Sequence, residues 1–407
     1  MRVSTTTAKI VPQNQFYMVG YLSKERELPA LGIHDDPLCV CIMIEAEEKR
    51  LLFISIDICI LERKKADSIK DKILEVIDID KNNIIINSIH THSMSSGLDS
   101  SDMAKQDNPE YFQLVKDTIA DCVKDLPESL QEATAEIGKT LVHGFYSNRN
   151  DINKSFDDEA YIIRFKDNAG KIIAAMCNFN CHCTVLGPAN RYATSDLIGE
   201  VRKNISETLG VIPYTFTGSS ADISNRQLRQ GNDFNELTRV GKGVSDILKD
   251  IKDYHKINLN KIEIKGFSYR INYDNSQYFD EYRKQLDDVT RLLDTDLSLD
   301  ERKLRTTEKQ QLSKKLKINN VDFTVACKII KLGDIKFITF PGELVSKFGI
   351  ELKKKNKDLT TIIIGYADDY QGYFVEAEEY GKCYETIATN TPKGITEKLI
   401  GKLEELI

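Results

Sequence analysis

The stretch IIINSIHTHS, residues 84–93, sets an apolar β-strand directly against two histidines. Three successive isoleucines between polar residues are typical of a short buried strand, which we predict over residues 83–89. If the chain stays extended beyond this strand, His90 and His92 occupy positions i and i+2, so both imidazoles point into one site. In such a pair, one imidazole ring can bind a metal ion while the other contacts the reacting group. The pattern alone leaves a purely structural pair of histidines equally open.

Strand and helix patterns alternate on both sides of this stretch. Further strands are predicted at residues 38–44, 51–60, 134–141, 161–165, 172–179, 214–217, 324–332, 335–340 and 361–366. Helices are predicted at residues 63–77, 109–126, 195–209 and 235–251, where apolar residues recur at helical spacing. The pattern predicts an α/β fold in which a mixed β-sheet core is flanked by helices.

Residues 276–316 differ from the rest of the chain in being rich in charged residues, with leucines at helical spacing. We interpret them as a helical insertion of two amphipathic helices, broken near residues 294–298. A solvated face, a lid and an oligomer contact all remain open for this pair. Strand patterns return after it, so we expect one domain over residues 1–407, interrupted by the insertion at 276–316.

Charge and composition exclude several classes of protein. The 407 residues carry 56 Lys and Arg against 63 Asp and Glu, a formal charge of −7, which argues against an electrostatic nucleic-acid binder. Apolar runs are strand-sized, so we expect no stable membrane insertion. The first 21 residues lack a signal-peptide pattern, and nine cysteines form no CxxC pair. We therefore expect reduced thiols and a cytoplasmic location.

Two further polar residues follow predicted strands. His182 lies in Cys181-His182-Cys183 at the end of one strand, and Glu343 follows a Pro-Gly turn at the end of another. Adjacent residues on a strand point in alternate directions, so the two thiols do not readily join His182 on one tetrahedral ion. Two histidines leave a zinc site two ligands short, and carboxylates such as Glu343 stand at comparable points.

At these residues the sequence resembles the neutral/alkaline (non-lysosomal) ceramidase family, catalytic domain only. Several segments match family motifs in the family's order, and together they span most of the chain. The matching segments are residues 32–35, 55–57, 88–93, 148–149, 178–188, 195–196, 217–224, 340–343, 372–373 and 384–385. Each piece is modest by itself, whereas the ordered set is specific.

The resemblance implies a zinc-dependent amidohydrolase that cleaves an N-acyl amide bond, with ceramide as the family's usual substrate. It implies a zinc-activated water that attacks the acyl carbonyl, with one residue to move the proton and two to stabilise the oxyanion. By motif position, the zinc ligands would be His90, His182, Glu343 and Tyr373. By the same rule, the catalytic residues would be His92, Arg149 and Tyr384.

The sequence also departs from the family pattern. Cys183 stands where the family has proline after the histidine, and the spacing from Tyr373 to Tyr384 is about one residue short. The family's C-terminal immunoglobulin-like domain has no counterpart, so we expect it to be absent. The substrate is thus expected to be an N-acyl lipid or an N-acyl small molecule. Two alternatives stay open: a zinc hydrolase of a small soluble amide, ester or lactone, and a non-catalytic metal-binding relative. The oligomeric state is left open too.

Overall fold

The computed structural model describes residues 1–95, 108–356 and 358–407, in which strands and helices alternate along most of the chain. The strands are β1 (Arg2–Lys9), β2 (Gly32–Ile33), β3 (Leu38–Ala46), β4 (Lys49–Ile56), β5 (Ile84–Ser88), β6 (Gln131–Glu132), β7 (Thr134–Leu141), β8 (Ser147–Asn148), β9 (Glu159–Lys166), β10 (Ile172–Asn178), β11 (Tyr192–Ala193), β12 (Tyr214–Phe216), β13 (Ile223–Ser224), β14 (Tyr254–Ile257), β15 (Ile262–Asp274), β16 (Asn320–Leu332), β17 (Ile335–Thr339), β18 (Glu343–Leu344), β19 (Thr360–Ile364) and β20 (Tyr373–Phe374). The α-helices are α1 (Arg63–Leu74), α2 (Pro109–Val123), α3 (Asp196–Leu209), α4 (Phe234–Lys249), α5 (Phe279–Leu293), α6 (Leu299–Lys315), α7 (Ser346–Lys355), α8 (Tyr384–Ala388) and α9 (Ile395–Leu406).

Three sheets of mixed direction form the framework. Their strand orders are β5-β4-β3-β1-β6, β12-β10-β9-β7-β14 and β15-β16-β17-β19. Each sheet contains one parallel pair, respectively β4 with β5, β10 with β12, and β17 with β19, among otherwise antiparallel neighbours. Three two-stranded pairs, β2 with β11, β8 with β13, and β18 with β20, complete the described strands. The predicted mixed-sheet α/β class is confirmed.

The three sheets share one apolar core. Phe53, Phe216 and Phe337 come from different sheets, and their rings meet with centroids 5.3 Å apart for Phe53 and Phe337 and 6.4 Å apart for Phe216 and Phe337. Burying a phenylalanine side chain contributes roughly 1.5–3 kcal/mol. Helices cover the opposite faces of the sheets, with α1 and α2 on the first sheet, α3 and α4 on the second, and α7 and α9 on the third.

This arrangement explains the isoleucine run that opens the site. Ile85 faces the core between the sheets, whereas Ile84 and Ile86 face the layer of α1 and α2. A strand buried on both faces has no solvated side, so its sequence is continuously apolar rather than alternating. The end of this strand therefore delivers the following residues into the protein interior.

The helical insertion is also confirmed. α5 and α6 are separated by residues 294–298, where the break was predicted, and Ser298 caps α6 in a capping box with Glu301. α6 packs against α8, the short helix that begins at Tyr384. The insertion thus lies beside a predicted catalytic residue.

Some elements were not predicted, and others, such as β4, α1 and α2, were predicted too long. β4 ends at Ile56, because the chain turns at Asp57 to pass into the site, so the predicted strand over 51–60 is four residues too long. β1 and β15 were missed, since threonines and charged residues dilute their apolar pattern. β15 pairs along its full length with β16, and this tertiary pairing forms the strand despite its polar sequence.

Candidate active site

The turn after β5 brings His90 and His92 together. The backbone is not extended here, as the shared face of His90 and His92 on a strand would require, because His90 has a φ of +59° in the left-handed region. The turn nevertheless places the two Nε2 atoms 3.1 Å apart. The rings are nearly perpendicular, with centroids 4.7 Å apart. They share one site because of this turn and not because of strand alternation.

His182 and Glu343 reach the same point from two other sheets. The Nε2 atom of His182 lies 2.9 Å from Oε2 of Glu343, and Nε2 of His90 lies 3.5 Å from Oε1. The three side chains are at most 2% exposed. Their ligand atoms all lie within 4.8 Å of one another. The structure therefore brings together three of the four residues predicted to bind zinc.

A glycine places Glu343 at this point. Gly342 has a φ of +148°, and a Cβ atom at this position would lie 2.5 Å from the carbonyl oxygen of Gly372. Only glycine permits so close an approach of the two backbones. The approach lets β18 pair with β20 in parallel, with Glu343 directly opposite Tyr373. The fourth predicted ligand is thus the strand partner of the third.

The two histidine rings are oriented by backbone carbonyls. Nδ1 of His90 donates to the carbonyl of Cys59 at 2.9 Å, and Nδ1 of His182 donates to the carbonyl of Ser220 at 2.7 Å. A carbonyl only accepts, so each Nδ1 carries the proton and each Nε2 faces the cluster centre. Burial lowers the pKa of His90 to about 4, so this imidazole is neutral at neutral pH, and its Nε2 lone pair faces His92 Nε2 and Glu343. Metal-binding histidines are commonly held in this way.

The Glu343 carboxylate adds a negative charge beside the Nε2 atoms of His90 and His182. Burial opposes its ionisation, but the neighbouring His90, His182 and Arg149 outweigh burial and lower the pKa of Glu343 to about 2. Tyr370 donates its hydroxyl to Oε1 at 2.5 Å. Among the described residues, Oε2 is buried with no hydrogen bond of acceptable geometry, although His182 Nε2 is close.

These donors fit a zinc ion. Two imidazole nitrogens and one carboxylate oxygen are a common zinc ligand set in catalytic sites. A buried carboxylate that faces a neutral imidazole lone pair needs a cation between them to offset the cost of burying that charge. Tyr373 is a weaker candidate for a zinc ligand, because burial raises the pKa of its hydroxyl and so disfavours the phenolate. The hydroxyl also accepts a hydrogen bond from Arg149 Nη2 at 3.2 Å. The four ligand assignments stay predictions.

Arg149 borders the cluster from the side of β8. Its Nε donates to Glu385 Oε1 at 2.6 Å, and its Nη1 lies 3.3 Å from His182 Nε2. Burial opposes its charge, but Glu385 and Tyr373 hold the pKa of Arg149 well above its ordinary value. A fixed positive charge therefore lies directly against the predicted metal ligands, and its catalytic role stays a prediction.

Tyr384 lies beside Tyr373 despite the short spacing between them. Their rings meet edge to face with centroids 6.0 Å apart. Burial raises the pKa of Tyr384 to about 12, against the opposing influence of Arg149 and a side-chain hydrogen bond with Gln311 of the insertion. The phenol thus stays protonated at neutral pH and is available as a hydrogen-bond donor.

His92 is held mainly by packing. Its Nδ1 is buried without a hydrogen-bond partner among the described residues, and the Tyr21 ring meets it edge to face at 4.9 Å. Gly20 has a φ of +100°, and a Cβ there would lie 2.4 Å from Cγ of His92. Burial, and then the neighbouring His90, lower the pKa of His92 well below its usual value. The ring is therefore a neutral base with Nε2 directed at His90.

Sequence reasoning missed several residues that support the site. Tyr370 binds Glu343, Tyr366 stacks on His90 at 4.3 Å, and Glu385 binds Arg149. Asp222 accepts hydrogen bonds from Asn148 Nδ2 and from the backbone and hydroxyl of Ser346, so it joins β8 to the start of α7. Asp222 and Glu385 stand inside the matched motifs, which was the available signal, whereas nothing in the sequence pointed to Tyr366 or Tyr370.

Other matched motif residues form a buried polar network beside the site. Asp57 accepts from Arg202 Nη1 at 2.8 Å and from the hydroxyl of Ser195 at 2.6 Å. The thiol of Cys183 donates to the Ser195 carbonyl at 3.1 Å, and that of Cys181 donates to the His182 carbonyl at 3.4 Å. These thiols therefore orient the backbone around His182 rather than joining its ligand cluster.

Comparison with known proteins adds independent findings. Residues 10–208 match the family model for neutral/alkaline non-lysosomal ceramidase, N-terminal. The fold is similar to the crystal structure of neutral ceramidase from Pseudomonas aeruginosa, with a TM-score of 0.76, 15% sequence identity, and coverage of 99% of this chain and 73% of that chain. The fold is also similar to a ceramidase structure complexed with C2. That comparison gives a TM-score of 0.75 and 15% sequence identity, and it covers 99% of this chain and 74% of that chain. No match is found among curated proteins.

Proposed function

We propose that the chain is a zinc-dependent enzyme that cleaves the N-acyl bond of a ceramide-like lipid. The proposal rests on the match of residues 10–208 to the model of the neutral/alkaline non-lysosomal ceramidase family, a family of hydrolases of linear amide bonds. The observation that carries the proposal is the convergence of His90, His182 and Glu343. Two histidines with Nδ1 fixed by carbonyls present Nε2 to a buried, ionised carboxylate. A site of this kind suits metal-assisted hydrolysis.

The ion would be held by His90, His182 and Glu343, with Tyr373 as the fourth ligand. When bound, zinc supplies a Lewis acid that polarises the acyl carbonyl and lowers the pKa of water toward neutrality. Tyr370 fixes the Glu343 carboxylate through Oε1, and the Tyr366 ring fixes the plane of His90. These contacts hold the donor atoms in place before an ion arrives.

His92 is the proposed general base. Its imidazole is neutral, and its Nε2 points to the cluster 3.1 Å from His90 Nε2. With its own proton on Nδ1, His92 would accept the proton of the attacking water at Nε2 and return it to the departing amine nitrogen, which leaves as a neutral amine. The close packing of Gly20 and Tyr21 fixes the ring in this orientation.

Arg149 and Tyr384 are the proposed donors to the oxyanion. Glu385 keeps Arg149 charged and aligned, and the phenol of Tyr384 stays protonated at neutral pH. Both therefore donate hydrogen bonds to the negative charge that develops on the acyl oxygen. The surrounding burial strengthens these interactions, since little water screens them.

For the substrate, we propose an N-acyl lipid presented without stable membrane insertion of the enzyme. No helix in the described part of the chain has both the length and the apolarity needed to cross a membrane. The charge of −7 disfavours anionic lipid surfaces, although the sequence between Lys303 and Lys317 is rich in lysine. Co-sedimentation with neutral and anionic vesicles, together with assays on vesicle-embedded ceramide, tests this directly.

The decisive experiment measures metal content and turnover together. Purified protein stripped of metal and reloaded with zinc should hydrolyse N-acyl sphingosines from short to long acyl chains. His255, exposed on β14, supplies the matched control, because His255→Ala should keep both zinc and turnover. Turnover only of water-soluble amides, esters or lactones would favour the soluble-substrate alternative. Tight zinc without turnover on any substrate would favour a non-catalytic relative.

Two predictions beyond the site remain untested. The cytoplasmic location rests on the expectation of reduced thiols, and none of the nine cysteines, all of which lie in the described residues, forms a disulfide. Fractionation of cells that produce the protein tests the location. The single-domain organisation over residues 1–407 likewise stays a prediction, which limited proteolysis of the purified chain tests.

A further inference from the structure

A second cluster of metal-binding atoms lies outside the candidate active site. Cys39 and Cys41 are at positions i and i+2 of β3, so their side chains leave the same face of the sheet. That face packs against α2, whose last turn carries Cys122. The three sulfur atoms all lie within 4.8 Å of one another.

This spacing matches a three-thiolate metal site. A metal–sulfur bond of about 2.3 Å places three sulfurs of a planar site about 4 Å apart. Small side-chain rotations are enough to close the observed cluster to that distance. Cys39 and Cys41 alternate with Val40 on one strand, a geometry that disfavours a mutual disulfide. Because the three sulfur atoms lie within 4.8 Å of one another, the thiols are near enough to share one ion.

Within the described residues, Cys122 is the member of the cluster that is partly exposed to solvent. Cys39 and Cys41 are fully buried, whereas Cys122 is partly exposed. Cys122 and Thr6 line a cavity of about 430 Å³ between β1 and α2. The Cys122 thiol also lies 3.5 Å from the hydroxyl of Thr6. An ion would enter through this cavity and meet Cys122 first.

We propose that Cys39, Cys41 and Cys122 form a second metal site, which takes a soft monovalent cation of the copper(I) class. Thiolates select soft ions, and copper(I) is well satisfied by sulfur ligands alone. Zinc prefers four ligands, and the described cluster offers only the three sulfurs, without histidine or carboxylate. Binding replaces thiol protons by the metal, so protons are released and no oxidant or reductant is required.

The test uses the full chain and copper(I) itself. Reduced protein is titrated with copper(I) against a colorimetric copper(I) chelator, in the presence of a non-thiol reductant. Wild-type protein should bind one equivalent at this site, and Cys122→Ser should weaken that binding by at least about a hundredfold. Cys383→Ser is the matched control, because Cys383 is a partly exposed thiol outside the cluster.

Two further variants separate this site from the histidine cluster and from misfolding. His182→Ala should keep the copper(I) equivalent, because His182 is not among its ligands. Cys41→Ser should lose it, and circular dichroism should show that Cys122→Ser and Cys41→Ser remain folded. Equal copper(I) affinity in wild type and in folded Cys122→Ser would overturn the proposal. Zinc binding to the three thiols in preference to copper(I) would overturn the assignment of the ion.

Discussion

Two clusters of side chains that could hold a metal ion, one of His90, His182 and Glu343 and one of three cysteines, are built in opposite ways. His90, His182 and Glu343 each follow a strand and stand in or beside a turn, at the point where three sheets converge. The three cysteines instead stand on regular secondary structure, two on β3 and one on α2. Turns impose backbone strain at His90 and close approach at Gly342, whereas β3 and α2 need neither. The first cluster is thus built at a cost to local backbone stability.

The residues of the first cluster are also held in fixed orientations by hydrogen bonds. Both histidines have their second nitrogen bound to a carbonyl, and Tyr370 holds Glu343. The Cys122 thiol instead contacts other side chains, namely the Thr6 hydroxyl and the thiols of Cys39 and Cys41. A fixed ligand set suits catalysis, since the reacting groups are placed before substrate binds. A cluster that adjusts its rotamers suits storage or stabilisation, where the bound ion sets the geometry.

The largest expected effect comes from removing His182. His182→Ala should lose zinc and turnover together, because it removes one of the two imidazole ligands and leaves only His90, Glu343 and a protonated Tyr373 to hold the ion. Metal analysis after gel filtration and an N-acyl hydrolysis assay measure both, with His143→Ala as an exposed control. Zinc at wild-type stoichiometry in His182→Ala would remove this residue from the ligand set.

His92 separates metal binding from catalysis within the first cluster. General acid–base groups typically contribute roughly a hundred- to ten-thousand-fold in rate. His92→Ala should therefore keep zinc and lose turnover by a factor in that range. The 3.1 Å separation from His90 Nε2 also places His92 within reach of the ion. Loss of zinc in His92→Ala would reassign the residue as a ligand, and unchanged turnover would remove it from the mechanism.

Replacing Tyr384 tests the hydrogen-bond donors to the oxyanion, and a smaller loss of rate is expected. Loss of one oxyanion donor costs roughly 2.7–4 kcal/mol of transition-state stabilisation, or about a hundred- to a thousandfold in kcat. Tyr384→Phe removes only the hydroxyl, so zinc content should not change, and thermal stability should fall only by the loss of the Gln311 hydrogen bond, about 1 kcal/mol. Tyr192→Phe is the control, since Tyr192 is exposed. If kcat is the same in Tyr384→Phe and wild type, the hydroxyl plays no part in the chemistry.

The sequence was sufficient for some of this picture and insufficient for the rest. Buried strands such as β5 and the strand ends that carry His182 and Glu343 were predictable, because continuous apolar runs and turn residues are local signals. The contacts from Tyr370 and Tyr366 were not, since they depend on how β18 meets β20. The cysteine cluster was not predicted either, because it too depends on tertiary packing. Cys39 and Cys122 are far apart in sequence and meet only when α2 packs on the sheet.

The smallest expected effect distinguishes the two clusters by thermal stability. A ligand at a hundred times its Kd stabilises the folded state by about 2.7 kcal/mol. With an unfolding entropy of about 2.1 cal/mol/K per residue, the 407-residue chain should gain about 3 °C in Tm. Copper(I) should give this shift in wild type and in His182→Ala but not in Cys122→Ser. Zinc should give it in wild type and in Cys122→Ser but not in His182→Ala. Differential scanning fluorimetry of the three proteins measures this crossed pattern, and a shift common to all three with either ion would mean that neither cluster is its binding site.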